Sequence, residues 1–113
     1  MPTAIADRRS QRISLDVPLV VRGSIDGRTF REETFTLSAS AHGVLLTLRT
    51  KVAVGQKVVL SNKKNWDECE GQIAYIGAPH AGLTRVGIEF NRPAPDFWSL
   101  VKPPADWSRI NSR

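Results

Sequence analysis

The chain has 113 residues and one cysteine, Cys69. That length holds a single domain with a small core, and one cysteine excludes an intrachain disulfide and any multi-cysteine zinc site. Sixteen Lys and Arg against eleven Asp and Glu leave a net charge of +5, which favours an anionic partner. No apolar run approaches the roughly 18–20 residues of a membrane span. Met1–Arg12 has no apolar stretch after its charges, as a secretory signal would. Neither membrane insertion nor export is therefore expected, and the expected compartment is a reducing cytoplasm.

Residues 1–7 read as a loose, flexible N-terminus, followed by the arginine cluster Arg8-Arg9-Ser10-Gln11-Arg12. The β-branched run Asp16–Arg22 predicts a strand. Asp26-Gly27 is a short-range hairpin signal, because glycine accepts positive φ without steric cost; the second arm runs over about Arg28–Ser38. Ser38–Gly43 is rich in small residues and predicts a turn. In Gly43–Arg49, Val44, Leu46 and Leu48 alternate to one side. Gly55-Gln56 marks a turn, Lys57–Ser61 a short strand, and Asn62–Asp67 a polar loop. Next, Cys69, Gly71, Ile73 and Tyr75 fall on one face and Glu70, Gln72, Ala74 and Ile76 on the other. Gly77–Gly82 reads as a turn, and Arg85–Phe90 alternates again through Val86, Ile88 and Phe90. Asp96–Val101 predicts a turn or two of helix stopped by Pro103-Pro104. Six short strands with frequent turn signals predict a small all-β antiparallel barrel, since closure removes exposed edges. Phe97, Trp98 and Trp107 would plug one mouth.

Catalysis is not expected. His42 and His80 sit in separate turns without partners at metal-ligand spacing. Cys69 lies on an apolar face, as a small core residue does. No phosphate-binding glycine loop is present, so no metal and no cofactor are predicted. The arginine cluster carries more chemistry. A guanidinium fork suits bidentate phosphate contacts, stacks on purines, and matches the paired O6 and N7 acceptors of guanine. Twenty-six residues beyond Arg12, Ser38-x-Ser40-x-x-Gly43 offers hydroxyls and turn amides to a base edge or a phosphate.

Together, in this order and on a chain of short strands, these motifs resemble the PilZ domain family. Arg8 and Arg12 supply its RxxxR, and Ser38–Gly43 supplies the xSxxG of its [D/N]xSxxG. Arg85-Val86-Gly87-Ile88-Glu89-Phe90 resembles its late strand. The resemblance covers about residues 7–101. It implies a six-stranded PilZ barrel over residues 8–101, with a short C-terminal helix and a tail over 102–113. It also implies a receptor for the bacterial second messenger cyclic di-GMP. Arg8 and Arg12, helped by Arg9, would grip phosphates and guanines. Ser38, Ser40 and Gly43 would lie against the ligand, and the leader would fold over it. Ser38 departs from the pattern: a carboxylate or amide there can accept from guanine N1–H and N2–H, and losing such a bond costs about 1.5–3 kcal/mol. The alternative that Ser38 raises is a PilZ-like protein–protein adaptor without nucleotide. A barrel binding single-stranded nucleic acid would need aromatics exposed on a strand face, but the tryptophans fall in loops and tail, so nucleic acid is not the expected partner. Output would pass to an effector protein.

Overall fold

A computed structural model describes residues 10–109. Seven strands follow in chain order: β1 (Ile13–Ser14), β2 (Pro18–Ile25), β3 (Arg28–Ala39), β4 (Gly43–Leu48), β5 (Lys57–Asn62), β6 (Glu68–His80) and β7 (Leu83–Phe90). All pair antiparallel, in the order β1-β3-β2-β5-β6-β7-β4. A further β3–β4 pairing closes six of them into a barrel, with β1 added outside as an extra strand on β3. Closure gives each of the six a strand partner on both sides over part of its length, which limits the free edges that a small β domain must avoid.

The alternation read from the sequence explains which face is buried. Leu19, Val21, Leu46, Leu60, Ile73 and Val86 point inward and are essentially inaccessible. Asp26 and Gly27 take φ of 51° and 79° and link β2 to β3 in a two-residue hairpin. This is the primed turn whose twist matches paired strands. Ala81 and Gly82, at 54° and 81°, do the same between β6 and β7.

That second hairpin corrects the expected turn over Gly77–Gly82. β6 continues through Gly77, Ala78 and Pro79 to His80. Its partner β5 reaches only Gln72, so Pro79 sits where one side of the strand is unpaired and needs no N–H. A register shift between Ile73 and Tyr75 also breaks the alternation. Ile73 stays in the core, Ile76 packs against it, and Tyr75 turns out at 54% exposure instead of sharing the buried face. Asn62, expected in a loop, ends β5 and is wholly buried: its Nδ2 donates to the Phe97 carbonyl at 2.9 Å.

The expected C-terminal helix over Asp96–Val101 is absent. Pro95–Trp98 forms a 3-10 turn that ends at Ser99, whose φ of 53° and ψ of 45° are left-handed. A second such turn spans Ala105–Arg109. Packing of aromatics overrides helical propensity here. Phe97 and Trp98 are buried in contact with Phe90, with ring centroids 5.9 and 6.1 Å from it and 4.9 Å from each other. Trp107 is 1% exposed and belongs to the same core cluster. Among the described residues, no helix is long and apolar enough to cross a membrane.

Candidate functional site

Pairing of β1 with β3 brings the arginine leader to the serine turn. Ile13 lies opposite Ala39 and Ser14 opposite Ser38, so Arg12 and Ser40 each adjoin the end of this paired segment. Ile13 and Ala39 pack on the core side. The flanking positions, Arg12 and Ser14 on one strand and Ser38 and Ser40 on the other, therefore belong to the outer side. Arg12 is exposed and Ser38 half-buried. Arg8 and Arg9 lie outside the described residues.

Ser10 and Gln11 tie the leader to the barrel. Ser10 is 3% exposed; its Oγ accepts the Ala41 N–H at 3.1 Å and lies 2.9 Å from His42 Nδ1. The Gln11 N–H donates to Asp106 Oδ2 at 2.9 Å, and the Gln11 carbonyl accepts Trp107 Nε1–H at 2.9 Å. Ser10–Arg12 is thus held between the serine turn and the C-terminal 3-10 turn.

The three motif positions differ in what they do. The Ser40 N–H donates to the Gly43 carbonyl at 2.9 Å, its carbonyl accepts Trp98 Nε1–H at 2.9 Å, and its hydroxyl accepts the His42 N–H at 3.2 Å. Ser40 is 8% exposed and organises the turn. Gly43 lacks a side chain because β7 leaves no room: a Cβ there would press into the Ile88 carbonyl oxygen. Ser38, opposite both Ser14 and Leu45, turns to the open face, and among the described residues its hydroxyl has no hydrogen-bond partner.

Two rows of cross-strand neighbours define that face. One runs Gly43, Glu89, Gln72, with Ser40 joined to Gly43 by its N–H; the other runs Ser14, Ser38, Leu45, Gly87, Tyr75. Glu89, Gln72, Leu45, Gly87 and Tyr75 were not among the predicted site residues. The alternation of Val86, Ile88 and Phe90 already places Glu89 and Gly87 on the outer side, but nothing local says which strand lies beside β7. Gly87 makes a shallow floor between Leu45 and the exposed Tyr75, whose Cβ is 3.1 Å from where a Gly87 Cβ would sit.

Other features carry less. A concavity of about 680 Å³ opens elsewhere, beside the start of β6, but Asp67, Glu68, Glu70 and Asp96 line it against a single Arg92. Those carboxylates repel an anion. Cys69, on the same side, is half-buried, and burial with help from the Glu70 charge pushes its thiol up to about 12. That leaves it protonated and weakly nucleophilic near neutral pH.

Residues 6–101 match the PilZ domain family. The chain belongs to that family. PilZ domains are a cyclic di-GMP receptor family of binding and adaptor domains rather than enzymes. Among solved structures, the PilZ barrel described here is similar to the Bacillus subtilis inhibitor of motility MotI/DgrA, with a TM-score of 0.61 and 14% sequence identity. The match covers 91% of this chain and 47% of that one, so the chain spans about half the length of that protein. At this identity the likeness establishes the fold alone. No curated protein sequence matches the chain.

Proposed function

We propose that this PilZ barrel is a cyclic di-GMP receptor that binds its ligand on the outer face of β1, β3, β4 and β7. The observation that supports the reading is the β1–β3 register, which pairs Ile13 and Ser14, the residues after Arg12, with Ala39 and Ser38. Arg12, with Arg8 and Arg9 from the preceding segment, supplies guanidinium forks to the phosphates and guanine faces. Ser38, on the open face, meets the ligand directly. Ser40 and Gly43 act chiefly by shaping the turn and permitting close approach of the strands. The clamp on Ser10 and Gln11 pre-orients the leader, which lowers the ordering cost of binding. Ligand held on β1 and the serine turn alters the surface offered to an effector protein in the cytoplasm.

Calorimetric titration with cyclic di-GMP tests the proposal, with Arg12→Ala alongside. Heat is expected from the unaltered protein. Loss of a charge-assisted contact worth about 1.5–3 kcal/mol weakens the variant roughly 10- to 100-fold. No heat at high micromolar ligand, or equal binding by Arg12→Ala, overturns it.

A further inference from the structure

We propose that this domain self-associates as a two-fold dimer in which Trp66 of each copy enters the concavity beside β6 of the other. The inference makes no use of the nucleotide-binding reading. Trp66 sits in the loop between β5 and β6 and is 60% exposed, whereas Trp98 and Trp107 are 2% and 1% exposed. An indole left in water forgoes the burial that makes tryptophan a leading anchor at interfaces. Its backbone is also unusual: Trp66 has a φ of 61°, in the left-handed region that a bulky residue rarely enters.

The loop that presents this indole is fixed. The buried Asn62 accepts the Lys64 N–H at Oδ1, 2.9 Å, and its carbonyl accepts the Trp66 N–H at 2.6 Å. Asn65 Oδ1 accepts the Asp67 N–H at 2.9 Å, and Asn65 Nδ2 donates to Ser99 Oγ at 2.6 Å. Little loop freedom is therefore left to lose when the indole docks.

The receiving surface begins at the next residue. Around the concavity of about 680 Å³, Asp67, Glu68, Glu70 and Asp96 are exposed, with Glu68 paired to Arg22, while the less exposed Pro93, Ala94 and Phe97 supply apolar wall. That volume lies within the range of about 300–1,000 Å³ that takes a small ligand, so an indole fits. Trp66 does not line the concavity of its own chain. The loop carries the complementary chemistry. Lys64 is exposed and has no ion pair among the described residues, whereas Lys63 is held by Glu33 at 2.7 Å. The indole N–H adds a donor for a carboxylate. A cationic, aromatic loop directly beside an acidic hollow with apolar walls is self-complementary, as an isologous contact requires. A two-fold axis passing between the two features seats both indoles at once. Each indole brings about 150–250 Å² to the contact, and the net charge of +5 opposes association, so the dimer is weak and concentration-dependent.

Sedimentation velocity and tryptophan emission, followed together from low micromolar to millimolar protein without nucleotide, test the assignment. Expected are a rise to dimer mass and a blue shift of the emission over the same concentrations. Trp98 and Trp107 are already buried, so the shift reports Trp66. Two variants are compared, each first checked for a thermal unfolding midpoint close to that of the unaltered protein. Trp66→Gly suits the left-handed backbone and should raise the dimer dissociation constant roughly tenfold or more. Asp96→Lys puts a cation on the rim of the concavity and should weaken the dimer while Trp66 stays in place. A monomer at every concentration, a dimer whose emission does not shift, or undiminished association by either folded variant overturns the proposal. Because no nucleotide is present, failure of the receptor reading leaves this result intact, and the reverse holds as well.

Discussion

Gly43→Ala separates a packing role from a ligand-contact role at the last position of the serine motif. Gly43 has no positive φ, so conformational freedom is not the reason for glycine there. The reason is distance. A Cβ at this position would fall inside 3.0 Å of the Ile88 carbonyl oxygen, with Ile88 C at 3.4 Å and Glu89 Cα at 3.5 Å. All three are main-chain atoms of the paired strand, so no side chain can swing aside and β4 must move away from β7. Overpacking of this kind costs about 1–3 kcal/mol. For a domain of this length each kcal/mol lowers the unfolding midpoint by about 4 °C, so a fall of roughly 4–12 °C is expected by thermal circular dichroism without any ligand. Gly27→Ala is the contrast: nothing lies within 4 Å, and only its φ of 79° is strained, at about 1–2 kcal/mol. A Gly43→Ala protein with an unchanged midpoint and impaired nucleotide binding would refute the packing argument and return the glycine to direct ligand contact.

Two further outcomes follow from buried groups. Thr36 is 4% exposed; its hydroxyl accepts the Val17 N–H at 2.9 Å and donates to the Leu15 carbonyl. Thr36→Val leaves both unpaired, so thermal unfolding should report a loss of about 1–3 kcal/mol, while Thr36→Ser retains most of the stability; equal midpoints for all three proteins would count against the role. The Cys69 thiol, raised from 9.0 to about 12, stays protonated in the fold after the unfolded chain has ionised. Its contribution to stability is complete below pH ~9 and is lost as pH rises toward 12. Alkylation at pH 8 should be slow in the native protein and fast once it is unfolded, and rapid native labelling would contradict the burial argument.

Legibility in the sequence tracked local chemistry. Strands with one buried face declared themselves by alternation, and Asp26-Gly27 declared its turn through the positive φ that it adopts. The arginine cluster and Ser38–Gly43 could be set side by side only through a resemblance, because no local signal pairs a two-residue β1 with the end of β3. Tyr75 was misplaced because a register shift is invisible to period-two counting. The C-terminal helix was misread because Phe97, Trp98 and Trp107 are fixed by the core, with the two indoles also donating to the carbonyls of Ser40 and Gln11. Glu89 was readable as outward-facing, but its place beside Gly43 depends on β4 meeting β7, a contact between residues more than forty positions apart.

The most direct measurement is the paired calorimetric titration of the unaltered protein and Arg12→Ala with cyclic di-GMP. Saturable heat that weakens at least tenfold without the Arg12 guanidinium is the result expected. Heat of the same affinity from both proteins, or none from either, would mean that the corner joining β1 to the serine turn is not where a nucleotide binds.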